Sequence, residues 1–159
     1  MWQLIPTSMR IVRLNKNNIS DIIEFEKEHG PDKPHYVRYI KEELEEIFDN
    51  PKACRAYGVW EDDKLIGWGA YRIKSNGAYE ICSIVIDKSH RGKGLGKRML
   101  EKLIKVIQKN QKSSNIHLTV YPDNLDALLL YLKSNFRIYD YKKNFYGPGA
   151  DRLFLKLIK

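Results

Sequence analysis

The sequence predicts an α+β domain, equally described as three-layer α/β. Its sheet is mixed but mostly antiparallel, six- to seven-stranded, and flanked by four helices. Three observations predict it. The alternating runs 53–61, 65–74 and 78–87 are separated only by "DDK" and "SNG", short turns of hairpin type, so these strands are antiparallel neighbours. The segment 78–121 reads strand, glycine loop, long helix, strand, which is the crossover that joins parallel strands. Helical periodicity is confined to four segments that interrupt the strands, giving the order β α α β β β α β α β β.

Each element has its own signal. "MRIVRLN" (9–15) is a first strand. "NISDIIEFEKEHG" (18–30) is a helix with Ile19, Ile22, Ile23 and Phe25/Glu26 at helical spacing and Gly30 as a stop. "HYVRYIKEELEEIFDN" (35–50) is a second helix, apolar at Val37, Ile40, Leu44 and Ile47, acidic outside, and ended by Pro51. After the three-strand meander, residues 95–110 form a helix with Leu95, Met99, Leu103 and Val106/Ile107 on one face. "NIHLTVY" (115–121) is a strand, and "DNLDALLLYLKSN" (123–135) a helix capped by Asp123 or Asn124. "FRIYDYKK" (136–143) and "DRLFLKLI" (151–158) are the last two strands, on either side of a "NFYGPGA" loop.

The 159 residues suit one domain over 1–159, with 1–8 a short extension before Met9. At 43% apolar and 30% charged the mix is that of a globular chain. No apolar run approaches a membrane span, and the first residues lack the basic and apolar regions of a signal peptide. Cys54 and Cys82 lie far apart in strand-like runs, which reads as buried free thiols and a cytoplasmic protein. His29, His35, His90 and His117 lack metal-ligand spacing, so no metal is expected. The net charge of +8 is uneven. Residues 1–63 hold 9 basic and 13 acidic residues, whereas 88–112 hold 9 basic and 1 acidic. A basic block confined to one helix and its entry loop suits a compact anionic ligand. Aromatics are not interleaved there as base stacking needs, which argues against nucleic acid.

That block begins with "HRGKGLGKRM" (90–99). A helix N-terminus carries partial positive charge, so Lys97 and Arg98 are unfavourable there unless an anion sits among them. Free backbone N–H groups at the helix start favour a phosphate, and glycines let backbone approach it. Lys93, Lys97 and Arg98 then make sense as partners of a polyanion. The spacing is neither a P-loop, whose hydroxyl position holds Arg98, nor the dinucleotide fingerprint GxGxxG.

Arg91-Gly92-Lys93-Gly94-Leu95-Gly96 resembles the [RQ]-x-x-G-x-[GA] signature of the GCN5-related N-acetyltransferase (GNAT) superfamily. The strand "SIVIDKSH" before it and the long helix after it fit the same pattern. So does "TVYPDNLDALLLYLKSNFR", which looks like the second conserved block, although Asn135 stands where the family usually has glycine. The resemblance implies acetyl-CoA as co-substrate, with the backbone N–H groups of Arg91, Gly92, Gly94 and Gly96 on the pyrophosphate beside Leu95, Lys93 and Lys97. It implies pantetheine along Ile84, Val85 and Ile86, where this strand splays from 115–121, with Asn124 and Tyr131 near the thioester. A homodimer is common in the family.

Acetyl transfer to an amine needs a proton acceptor, a place for the oxyanion and a donor to the thiolate. Glu80 is the base candidate, at an offset from the signature similar to the catalytic glutamate of histone-acetylating members. Simple alternation puts Glu80 on one face with Cys82, Ile84 and Ile86. A carboxylate there needs a role or a partner, and pairing with Arg72 or a solvated strand end are its other readings. Thr119 stands where ribosomal-protein acetyltransferases of the family place their base, and cannot serve. Tyr131 is the acid candidate, protonated at neutral pH and carrying a proton for the departing thiolate. A backbone N–H near Val85 would meet the oxyanion.

The resemblance also frames the acceptor with residues 29–39 and 142–152, where Tyr36 and Tyr146 are the substrate-contacting candidates beside Glu80. The expected reaction is direct attack by a primary amine on acetyl-CoA in a ternary complex, the acceptor being a protein or peptide amine. The alternatives are a small amine (polyamine, amino acid or antibiotic) or a non-catalytic acyl-CoA sensor.

Overall fold

The computed structural model describes residues 9–31, 36–110 and 115–159, so the extension 1–8, His35 and the end of the basic block lie outside the described residues. Seven strands form one sheet: β1 (Met9–Arg13), β2 (Cys54–Glu61), β3 (Lys64–Ile73), β4 (Tyr79–Ile86), β5 (Ile116–Val120), β6 (Phe136–Lys142) and β7 (Arg152–Leu157). The helices are α1 (Ile19–His29), α2 (Lys41–Asp49), α3 (Leu95–Asn110) and α4 (Leu125–Lys133). The spatial order is β1-β2-β3-β4-β5-β7-β6. All pairings are antiparallel except β4 with β5, the crossover pair that spans the glycine loop and α3.

The helices cover the sheet on both faces because each has one apolar stripe to bury. On one face α3 sets Met99, Leu100, Leu103 and Ile107, all fully buried, against Ile66, Tyr71, Ile81 and Leu118, and Tyr131 and Phe136 join this cluster. On the other face Ile22 and Phe25 of α1 and Leu44 and Ile47 of α2 pack on Ala56, Trp68, Ala70 and Val85.

Two features of the sheet create space for a ligand. β4 and β5 pair only at Tyr79–Ile116 and Glu80–His117, and beyond them the strands part. A β-bulge interrupts the β3–β4 ladder, in which Ala70 opposes Ser83 but Tyr71 opposes Ile81, so Cys82 is the extra residue. The bulge overturns the simple alternation expected for this strand. Before it, Tyr79 and Ile81 pack in the α3 cluster; after it, Ile84 and Ile86 do. Cys82 and Val85 belong to the α1/α2 cluster, and Ser83 hydrogen-bonds Tyr36 on that side. Glu80 therefore does not share a face with Ile84 and Ile86. It opposes Arg72 across the ladder.

The second helix also differs from expectation. It starts at Lys41, and residues 36–40 are an extended connector in which Ile40 is exposed rather than on an apolar stripe. Side-chain chemistry outweighs helical periodicity there. Tyr36 donates to the Glu26 carboxylate and Tyr39 to the Cys82 carbonyl, which draws the connector across the sheet. The Glu43 carboxylate, accepting from the Ile40 N–H, marks the true helix start.

Candidate active site

Where β4 and β5 part, a long cleft of about 680 Å3 runs from the glycine loop to α4, in the size range of small-molecule sites. Its floor is Ile84, Val85 and Ile86; its entrance is Arg91, Gly92, Gly94, Leu95 and Gly96; its far wall is α4 with Asn124 and Tyr131. Lys93 and Lys97 do not line it. Both are exposed, and Lys97 faces Glu101 at 3.9 Å along its own helix. A charged stem at a helix start extends into solvent unless a bound group draws it in.

The entrance is built locally. Asp87 accepts from the Ser89 N–H at 2.9 Å and lies 3.1 Å from His90 Nδ1, fixing the turn after β4. The Arg91 Nε–H returns to the Ile86 carbonyl at 2.9 Å. Gly92 and Gly94 then adopt φ of +75° and +81°, conformations that glycine alone takes freely. Nothing lies within 4 Å of a side chain imagined on either, so these glycines are required by conformation rather than by crowding. Backbone turned this way forms an anion-binding concavity at the start of α3. The residues fit a pyrophosphate.

A shorter cleft of about 200 Å3 adjoins the long one. The connector supplies Tyr36 and Tyr39, the bulge Cys82 and Ser83, β5 Thr119, and the last loop and strand Tyr146 and Arg152. Both expected framing segments thus contribute. The two clefts meet: Tyr36, Ile84, Asn124, Ala127 and Tyr131 line both.

Tyr131 is buried at this junction, and burial pushes its phenol up to about 12. It is a neutral hydrogen-bond donor across the physiological range. Handing its proton fully to a thiolate of ordinary pKa would be uphill by roughly 5 kcal/mol, so the phenol can offer a hydrogen bond but does not give up its proton at neutral pH. Asn124 accepts from the Ala127 N–H at 3.4 Å, and so caps α4 while facing both clefts. Tyr146 lies beneath Arg152, whose guanidinium is 4.9 Å from its ring centroid, and burial pushes its phenol up.

Glu80 is buried and accepts from Arg72 Nε at 2.6 Å, the pairing the sequence left open beside the catalytic reading. Arg72 lines the short cleft; Glu80 lines neither cleft. Burial works against the Arg72 charge, but the bond and charge of Glu80 outweigh it and hold the guanidinium above its usual value.

Sequence reasoning missed Glu26. Its carboxylate is 2% exposed and accepts from Tyr36 Oη at 2.6 Å, Trp68 Nε1 at 3.0 Å and the Tyr39 N–H at 3.0 Å. The signal was a carboxylate standing in the apolar stripe of α1 with Ile19 and Ile22. Arg152 and Ser83 were missed because neither spacing nor residue type marks them. Both thiols are free; burial raises Cys54 and pushes Cys82 up to about 11, so neither is a nucleophile at neutral pH. Among the described residues no cluster has the make-up of a metal site, and no helix is long and apolar enough to cross a membrane.

Residues 19–136 match the profile described as the Acetyltransferase (GNAT) family. A probable spermine N(1)-acetyltransferase of Bacillus subtilis subsp. natto is 30% identical over 111 residues, 64% of this chain and 72% of that protein. The PaiA N-acetyltransferase of Thermoplasma acidophilum, solved with coenzyme A, superposes with a TM-score of 0.75 at 21% identity, over 96% of this chain and 100% of that one. The ribosomal-protein-S18-alanine N-acetyltransferase of Escherichia coli superposes with a TM-score of 0.76 at 17% identity, over 94% and 92%. The last two likenesses are of fold.

Proposed function

The chain belongs to the GNAT acetyltransferase family and is an acyltransferase; from that premise we propose that it moves an acetyl group from acetyl-CoA to a primary amine by direct attack in a ternary complex. The observation that carries this reading is the meeting of the two clefts. The long one takes the anionic end of acetyl-CoA at Gly92 and Gly94 and runs its arm along Ile84–Ile86. In this reading the thioester lies beside Tyr131, and the short cleft, which Tyr131 also lines, admits the amine. Holding both reactants at one point is worth several kcal/mol of the barrier by itself.

The nitrogen attacks the thioester carbon, and the oxyanion is met by the backbone N–H of Ile84. The Val85 N–H faces β3, because Val85 opposes Trp68 two residues along the ladder from the Asp87 N–H bonded to the Ile66 carbonyl. The C–S bond breaks and its electron pair leaves on sulfur, where the Tyr131 O–H donates to it. Lys93 and Lys97, exposed at the rim, close on the phosphates, Lys97 leaving Glu101 to do so. Glu80 holds the Arg72 guanidinium at the wall of the short cleft, beside the acceptor. Tyr36 and Tyr146 hold the acceptor between aromatic walls.

Two acceptor classes compete: a polyamine, as in the relative named for spermine, and a protein or peptide amine. The short cleft favours the second. Its lining holds Arg72 and Arg152 against Glu43, which is engaged at the Ile40 N–H. A site for a polycation carries more carboxylate than that. The test is CoA-thiol release across free-N-terminus peptides, N-blocked lysine peptides, polyamines, amino acids and aminoglycosides. Turnover of peptides with free N-termini is the expected result. Acetyl-CoA binding without turnover of any amine would instead leave the sensor reading.

A further inference from the structure

We propose that the proton released by the attacking amine leaves through Tyr36 to the buried carboxylate of Glu26, making the Tyr36–Glu26 pair a proton relay at the meeting point of the two clefts. The inference rests on the acetyl-transfer reading above and assigns its proton acceptor. Tyr36 lines both clefts, so it borders the place where nitrogen meets thioester. Its Oη donates to Glu26 Oε1 at 2.6 Å and lies 3.0 Å from Ser83 Oγ. With its own proton committed to Glu26, the phenol oxygen takes the Ser83 hydroxyl on one lone pair and keeps another for an incoming N–H. Short contacts to a carboxylate are the strong class of hydrogen bond.

Glu26 is suited to receive. It is almost wholly buried, yet held by three donors. Neither Glu26 nor Glu80 lines a cleft itself. Glu26 reaches one through the Tyr36 hydroxyl, whereas Glu80 is bonded to Arg72 Nε, and a guanidinium has no lone pair to pass a proton on. Burial raises Glu26 above the usual carboxylate range, though its bonds from Tyr36, Tyr39 and Trp68 and the charge of Arg38 oppose the rise. The titratable and charged groups around the pair are Arg38 and Tyr39 on the connector and Cys82 on β4, with Trp68 facing it from β3.

The step balances. As the C–N bond forms, the nitrogen carries one proton too many. That N–H breaks toward Tyr36 Oη while the Tyr36 O–H breaks toward Glu26 Oε1, so one N–H is exchanged for one carboxyl O–H. The thiolate departs with the C–S electron pair. After product release the proton returns along the same path to solvent, and no oxidant or reductant is involved.

The experiment measures kcat against pH at saturating acetyl-CoA for the wild type, Tyr36→Phe, Glu26→Gln, the double variant and Glu80→Gln, each with a melting curve and acetyl-CoA titration. Tyr36→Phe leaves Glu26 its bonds to Trp68 and Tyr39, and so is the variant expected to fold normally. The expected result is a kcat loss of about 10²- to 10³-fold in Tyr36→Phe and in Glu26→Gln. That loss shrinks as pH rises and solvent base takes over, and the double variant is no worse than either single one. Acetyl-CoA affinity stays within about threefold. Losses that are independent of pH, that add in the double variant, or that follow the melting temperature would overturn the relay. So would a wild-type profile in either single variant, or a loss confined to Glu80→Gln. A wild type that binds acetyl-CoA but acetylates no amine overturns the acetyl-transfer reading and the relay together, and is recognised before any variant is made.

Discussion

Replacing Gly96 by alanine separates the stability of the fold from the width of the cofactor cleft. Gly96 is the second residue of α3 and has ordinary helical backbone, so alanine is tolerated. A methyl built there meets Leu130 Cδ2 at 3.6 Å and Ile86 Cγ1 at 4.0 Å, ordinary contact distances without overlap. Gly-to-Ala in a helix gains about 0.5–1 kcal/mol, less in the first turn than in the middle. The unliganded protein therefore melts about 2 °C higher. Ile86 on the floor and Leu130 on the α4 wall both line the long cleft, and Gly96 lies at its entrance. The same methyl therefore stands between them, on the path proposed for acetyl-CoA. A tenfold loss of affinity is the expected scale. At a ligand concentration about 100 times the wild-type Kd, ligand stabilisation is about 2.7 kcal/mol; a tenfold weaker variant keeps about 1.4. Melting curves with and without acetyl-CoA read both numbers in one assay. The liganded shift should be about half that of the wild type although the unliganded protein is more stable. An undiminished shift would refute the placement of acetyl-CoA between Ile86 and Leu130. Gly92→Ala is the contrast: with φ at +75° it should cost about 1–2 kcal/mol in the unliganded protein despite the open space around it.

Tyr131→Phe should lower kcat by about 10²-fold while acetyl-CoA affinity is retained, because only the donor to sulfur is lost; steady-state kinetics with a titration of binding checks it. Phe136→Ala removes a fully buried ring whose centroid is 6.0 Å from that of Tyr131, and should destabilise by about 3–5 kcal/mol in denaturant melts. Asp87 is buried, which alone would raise its carboxyl, but the Ser89 N–H and hydroxyl and the two neighbouring histidines outweigh burial and hold it below its usual value. A depressed carboxyl contributes stability above the unfolded value near pH 3.9, lost as pH falls below it. Acid melts should show the wild type losing stability over that range and Asp87→Asn losing less, having started lower at neutral pH. Tyr39→Phe should cost about 1 kcal/mol by freeing the Cys82 carbonyl at the bulge, with stability and KM for the amine both affected.

The order of elements, the meander, the crossover and the glycine loop were legible in the sequence because each is set by local chemistry. Period-2 and period-3.6 patterns choose strand or helix. Hairpin turns make neighbours of β2, β3 and β4, and glycines at Gly92 and Gly94 answer a backbone requirement that acts within a few residues. α3 runs over the predicted residues because its stripe and its entry loop agree. What sequence alone left open depends on partners distant along the chain. The insertion of β7 between β5 and β6 is decided by edge pairing. Cys82 becomes a bulge through the register of β3, and that one extra residue reverses the facing of Ile84 and Ile86 relative to Glu80. The connector 36–40 leaves the helix that its periodicity favours because Glu26, ten residues upstream of Tyr36, and the Cys82 carbonyl claim its tyrosines. Glu80 could be read as a base from its position, but only the ladder that sets Arg72 opposite it shows how its charge is held. Local patterns thus determined the elements and the anion loop. Which carboxylate is bonded to a residue shared by both clefts was decided by tertiary structure, because burial and hydrogen-bond partners are properties of the packed chain.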